Sequence, residues 1–300
     1  MDDSDGSVRQ NRAMRRALAM FSLALSLALP GSARPARQPT AAERAEAAMI
    51  KRFEPLAIED ALIDQQARIT AAVAALPAPG SVPEMPVLAI GGEGYLALFD
   101  REARRAAKVL AARGGGPALV LSNTPEQVFS GLLASRRTMA LAVAALGRRA
   151  RPGDTLVVYL TSHGGPDGSI AMDAPYIDFA PMTAVDLAKA MDAAGFRRRV
   201  VIVSACYGAS WIPALASPTT IVVAAAAADR TSFGCDDSRD LTLFGEALIG
   251  ALGTPGVSLA TAFAAAKARI AAQERAMKIT PSLPEARVGA GMQAVWTGPG

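Results

Sequence analysis

Between residues 87 and 225 the chain alternates two kinds of apolar pattern. Short unbroken runs fall at Val87–Ile90, Ala118–Leu121, Thr155–Leu160, Arg199–Ser204 and Thr220–Ala225. Between them apolar residues recur every three or four positions, over Asp100–Arg113, Ser135–Arg149 and Thr183–Ala194. Unbroken runs of this length suit strands covered on both faces, and the longer period suits helices with one buried stripe. The third helix is the best punctuated: Thr183 can cap it, Asp186 stands three residues on, and Gly195 closes it. The alternation predicts an α/β domain with a parallel sheet packed on both sides. A last helix is expected at about Leu259–Met277.

Residues 34–84, ahead of this domain, form an alanine-rich lead segment. Thr40 can cap a helix running toward Phe53, Pro55 interrupts it, and a second helical pattern covers Ile58–Leu76. "PAPGSVPEMP" (Pro77–Pro86) reads as a linker. The segment has three readings: a removable propeptide, a membrane-proximal spacer, or helices packed on the sheet. Residues 1–33 are of another kind. Arg9, Arg12, Arg15 and Arg16 precede an uncharged run, Ala17–Leu29, followed by Pro30 and the small residues Gly31-Ser32-Ala33. That is the order of an export signal. The run is shorter than the ~20 residues a bilayer span needs, which makes an uncleaved inner-membrane anchor the weaker reading. The mature chain, residues 34–300, is expected in a bacterial periplasm or outside the cell, touching membrane only through an uncleaved signal.

Composition narrows the chemistry. The net charge is +4, only 5% of residues are aromatic, and the arginines are scattered, so no basic aromatic face for nucleic acid is expected. One histidine and two cysteines, without a C-x-x-C pair, are too few for a zinc site. "GGEG" (Gly91–Gly94) lacks the dinucleotide fingerprint, and no phosphate-loop motif occurs. No metal or other cofactor is implied. A serine hydrolase would need a G-x-S-x-G elbow, and there is none.

The one histidine, His163, follows the Thr155–Leu160 strand in "YLTSHGG", and Cys206 follows the Arg199–Ser204 strand in "VVIVSACYG". Parallel strands end on one sheet edge, the edge where open α/β sheets bind ligands. Consecutive strands are often neighbours, about 4.8 Å apart, so imidazole and thiol would face one crevice. A thiolate is a strong nucleophile, and a nearby imidazole favours it and supplies a proton to a leaving amine. With no Cβ on Gly164, its N–H can approach a substrate carbonyl and, with the N–H of Cys206, form an oxyanion hole. The plainer alternative is a strand-end histidine and a small buried thiol. In an exported chain, Cys206 and Cys235 also suggest a disulfide.

These motifs resemble the His-Gly and Ala-Cys motifs of the legumain-like cysteine peptidases, family C13, in the clan of caspases and gingipains. The likeness to the bacterial branch extends to "FDREARRA" (Phe99–Ala106), "ADRTSFGCDDSRDLTLFGEAL" (Ala228–Leu248) and "PSLPE" (Pro281–Glu285), and covers roughly residues 58–297. The resemblance implies a caspase-like three-layer α/β/α sandwich with a mostly parallel central sheet, in a peptidase domain over residues 85–300. It implies endopeptidase chemistry on a peptide or protein substrate, with His163 as base and acid, Cys206 as nucleophile and Gly164 as an oxyanion donor. Arg101, Ser232, Glu246 and Ser204 match the substrate pocket.

Three positions depart from the family pattern. Ser204 stands where legumain has a pocket-lining glutamate. Glu93 stands in the turn where legumain has an asparagine that orients the histidine. Gly208-Ala209 replaces a common Ser-Gly after the nucleophile. The first two bear on substrate choice and on catalytic competence. A transamidase using the same acyl-enzyme, and an inactive peptide-binding envelope protein, remain alternatives. Cys235 falls in the "TSFGC" turn, which in this family approaches the pocket; pairing with Cys206 would block the nucleophile.

Overall fold

The computed structural model describes residues 38–298 apart from residue 237; the expected export signal lies outside them. The chain divides into two compact units, residues 1–46 and 47–300. Of the first, the described part is the start of helix α1 (Ala41–Arg52). Thr40 caps it: the Glu43 N–H donates to the Thr40 hydroxyl at 3.2 Å, and the Glu43 carboxylate accepts the Thr40 N–H at 2.6 Å.

The second unit is built on six strands: β1 (Met85–Gly91), β2 (Gly115–Ser122), β3 (Thr155–Thr161), β6 (Arg198–Ser204), β7 (Thr220–Ala224) and β8 (Glu285–Val288). Their spatial order is β2-β1-β3-β6-β7-β8. Every pairing is parallel except β7 with β8. A two-stranded hairpin, β4 (Asp173–Ala174) with β5 (Ile177–Asp178), lies outside this sheet. The five expected strands are the five parallel ones. The edge strand β8 and the hairpin are short and carry no unbroken apolar run.

Alternate residues of each strand enter two cores. Leu88, Ile90, Val158, Leu160, Val201 and Val203 pack with α3 (Gln65–Ala74), α6 (Arg136–Gly147) and α7 (Ala184–Ala193). Val87, Ala89, Val157, Tyr159, Val200 and Ile202 pack with α4 (Ala97–Gly114), α9 (Leu243–Leu252) and α10 (Leu259–Met277). Each Val, Leu and Ile among them contributes roughly 1.5–3 kcal/mol by leaving water. The architecture is therefore a three-layer α/β/α sandwich. Shorter helices complete the second unit: α2 (Pro55–Ile63), α5 (Pro125–Ser130), α8 (Ile212–Leu215) and α11 (Gln293–Thr297).

Helix α7 ends as its punctuation implies, with a Thr183–Asp186 capping box and Gly195 at φ 79°. Ile69 and Val73 of α3 are buried in the first core, so the lead segment from residue 47 onward is part of the main unit. The proline-rich stretch after it is tied down: Arg149 donates to the Val73 carbonyl at 3.1 Å and Arg151 to the Pro79 carbonyl at 2.6 Å.

The chain runs from β1 outward to β2 and returns across β1 to β3, so the connections leaving the C-terminal ends of β1 and β3 turn to opposite sides while the strands stay paired through Gly91↔Thr161. Such a switch point opens a crevice. One side chain ties the ends of β1 and β2 to the chain ahead of α6. Buried Asn123, just after β2, donates to the Gly92 and Ala134 carbonyls at 2.8 and 2.7 Å and accepts the Ala134 N–H at 2.9 Å. Asn123→Ala leaves these groups unpaired and is expected to cost about 3 kcal/mol of unfolding free energy, measured by urea denaturation.

Candidate active site

The β3–β6 ladder runs in register from Thr155↔Arg198 to Thr161↔Ser204. His163 and Cys206 each stand two residues beyond the last pair, so they leave neighbouring strands side by side. The ladder extends one step further, the Ser162 N–H donating to the Ser204 carbonyl at 3.4 Å. The main chain at His163 is pinned: its carbonyl accepts the Ala171 N–H at 2.9 Å, and the Ser162 hydroxyl donates to the Ala171 carbonyl at 2.8 Å. The imidazole is exposed and meets the Phe99 ring edge-on, centroids 5.1 Å apart. Phe99 lies in the first turn of α4. Glu93 sets that helix, its carboxylate accepting the Tyr95 and Leu96 N–H groups at 2.9 and 3.0 Å, where the helix dipole favours a negative charge. The departure at Glu93 thus anchors the helix that carries the ring against His163.

Gly164 is required sterically. A Cβ there would sit 2.1 Å from the Cys206 carbonyl oxygen, so only glycine lets the two loops approach this closely. The following loop is held by Trp211, whose buried indole N–H donates to the Gly168 carbonyl at 2.8 Å. Cys206 is partly buried. Its sulfur accepts the Ser232 N–H at 3.2 Å, and its S–H points at the Ser232 carbonyl at 3.5 Å. Tyr207, immediately after it, is left-handed at φ 57° and is held by its N–H bond to the Arg230 carbonyl at 2.7 Å. A non-glycine residue in that region is strained and persists where its surroundings fix it. Gly208 and Ala209, the third departure, are buried beneath this turn.

Burial pushes the Cys206 thiol above its ordinary value. Main-chain hydrogen bonds at Ser232, Gly164 and Cys206 itself pull the other way without overcoming it. The resting sulfur is therefore a thiol, and the N–H groups around it are placed to stabilise negative charge when it forms. Cys235 is also free. Burial first, then repulsion from Cys206 whenever that becomes a thiolate and from Glu102, Asp236 and Glu93, pushes its thiol up to about 12. With no disulfide between them, both cysteines carry thiols.

The four residues matched to the pocket fall into different settings. Ser232 touches the thiol through its backbone. Arg101 is exposed, donates to the Arg239 carbonyl at 2.9 Å and pairs with Asp240 at 3.3 Å. Glu246 pairs with Arg239 and Arg269. Ser204 is buried beneath the cleft, its hydroxyl donating to Glu102 at 2.7 Å.

Glu102 is the residue that motif reading passed over. It is 0% exposed and accepts hydrogen bonds from the Tyr159 hydroxyl, the Ser204 hydroxyl and the Thr242 N–H. Its signal was available: Leu98, Phe99, Glu102, Ala103, Ala106 and Leu110 form the buried stripe of α4, and Glu102 is the charged member of it. Among the described residues, no group of three or more His, Cys, Asp or Glu side chains could hold a metal ion. No described helix is long and apolar enough to cross a membrane.

The fold and the paired strand ends place the chain among α/β proteins of the caspase-like class. Residues 129–294 match the model of the Peptidase C13 family, and the chain belongs to that family of cysteine peptidases. The match includes His163, Gly164, Ser204, Cys206, Ser232 and Glu246, and begins after Glu93, Arg101 and Glu102. None of the curated proteins matches the chain.

With the thiol protonated at rest, alkylation of Cys206 by iodoacetamide is expected to quicken about tenfold per pH unit from pH 6 to 8 without a plateau, because only the thiolate reacts. Site-resolved mass spectrometry measures the rate. A flat profile over that range would mean a preformed thiolate.

Proposed function

We propose that the chain is an exported cysteine endopeptidase in which Cys206 is the nucleophile and His163 the acid–base. The observation that carries this reading is the placement of both residues just beyond Thr161↔Ser204, with Gly164 against the backbone of Cys206. In the reaction His163 takes the thiol proton as sulfur attacks the peptide carbonyl carbon. The carbonyl oxygen gains the negative charge and faces the N–H groups of Gly164 and Cys206. Such preorganised donors are worth about 10²–10³ in rate. The carbon–nitrogen bond then breaks, the amine leaves with the proton from His163, and a thioester remains on Cys206. Water, deprotonated by His163, attacks the thioester and frees the acid and the thiol.

A raised thiol value fits this order of events. The imidazole acts as base during attack rather than holding an ion pair beforehand. Arg101, Ser232, Glu246 and Ser204 are the pocket residues of this reading, Ser204 from beneath. Export rests on the signal pattern of residues 9–33.

The test is cleavage of a mixed peptide library by the full-length chain expressed in a bacterium, with products sequenced by mass spectrometry. The periplasmic fraction is expected to cut internal bonds. Cys206→Ala and His163→Ala are each expected to lower kcat/KM by about 10³-fold or more. Undiminished cleavage by Cys206→Ala contradicts the proposal.

A further inference from the structure

The buried carboxylate of Glu102 joins three elements that the chemistry needs in register. From β3, the Tyr159 hydroxyl donates to it at 2.8 Å, four residues before His163. From β6, the Ser204 hydroxyl donates at 2.7 Å, two residues before Cys206. From the N-terminus of α9, the Thr242 N–H donates at 2.7 Å, closing the loop that carries Ser232 and Cys235. Ser204 and Thr242 also meet hydroxyl to hydroxyl at 3.2 Å. The space for the carboxylate is built in, because a Cβ on Gly245 would lie 2.2 Å from one of its oxygens.

Among the described residues Glu102 has no cationic partner, and a fully buried carboxylate in that setting is costly and persists only when hydrogen bonds satisfy it. Leucine or alanine on this face of α4 would pack with no such requirement. We infer that Glu102 is a positioning residue for the reaction, holding the strand of His163, the strand of Cys206 and the loop of Ser232 at one spacing. The inference rests on the peptidase reading of Cys206 and His163. It also explains how Ser204 serves in place of a glutamate: the acid reaches this point from α4, and the hydroxyl at 204 receives it. A longer side chain at 204 would compete with Glu102 for the same space.

The test compares wild type, Glu102→Gln, Ser204→Ala, Tyr159→Phe and His163→Ala as full chains, below the melting temperature of each. Two quantities are read: kcat and KM on a cleaved library peptide, and the rate of Cys206 alkylation by iodoacetamide. Gln at 102 offers an N–H₂ to groups that are themselves donors. Glu102→Gln is expected to lower kcat at least tenfold with KM changed less than threefold, and to slow Cys206 alkylation by a similar factor. Ser204→Ala and Tyr159→Phe, each removing one donor, are expected to fall between it and wild type. A purely structural role would lower melting temperatures and leave kcat of the folded variants alone. A folded Glu102→Gln with wild-type kcat and alkylation overturns the inference. If Glu102→Gln does not fold, wild-type kcat in folded Ser204→Ala and Tyr159→Phe overturns it equally. A His163→Ala variant that keeps wild-type kcat overturns the peptidase reading itself, and the positioning role with it.

Discussion

The parallel ladder between β3 and β6 is the constraint on which the rest depends. Its last pair, Thr161↔Ser204, fixes how far each strand extends before the chain turns out of the sheet. A slip of one residue would turn either Val158 and Leu160 of β3 or Val201 and Val203 of β6 out of one core and into the other. The two apolar faces therefore enforce the register at which an imidazole and a thiol emerge together. The peptidase chemistry proposed here draws its alignment from ordinary core packing.

Close approach then converts alignment into a usable cleft. Gly164 lets the loop after β3 lie on the backbone of Cys206. Gly94 does the same for the turn after β1, where a Cβ would stand 1.8 Å from the Asn123 carbonyl oxygen. Polar groups fasten the same edge from below. Asn123 satisfies three main-chain groups, one at Gly92 after β1 and two at Ala134 before α6, and Glu93 holds the Tyr95 and Leu96 N–H groups just ahead of α4. Burial meanwhile keeps both thiols protonated, which suits a site that generates its nucleophile only when a base acts on it.

Much of this was legible in the sequence, for identifiable reasons. The five parallel strands are buried on both faces and so appear as unbroken apolar runs. Thr183, Asp186 and Gly195 spell out the ends of α7 by local hydrogen-bond chemistry alone. His163 and Cys206 could be singled out because each follows such a run. The partners of the side chains matched to the family's pocket were not legible, since Arg101–Asp240 and Glu246–Arg269 depend on how α4, the loop before α9, α9 and α10 pack. The edge strand β8 escaped notice because four residues paired on one side make no periodic signal. Glu102 sat in view as a charge on an apolar stripe, but its meaning required the positions of Tyr159, Ser204 and Thr242, which lie 57, 102 and 140 residues away along the chain.

The most direct test of the central claim is to catch the acyl-enzyme. The chain is mixed with a cleavable peptide, quenched in acid within milliseconds to seconds, and its intact mass and modified site are read by mass spectrometry. The account predicts a transient thioester on Cys206 equal in mass to the N-terminal product less water, removed by hydroxylamine and missing from His163→Ala. Cleavage that proceeds with no adduct on Cys206, or with the adduct on Cys235, would contradict it.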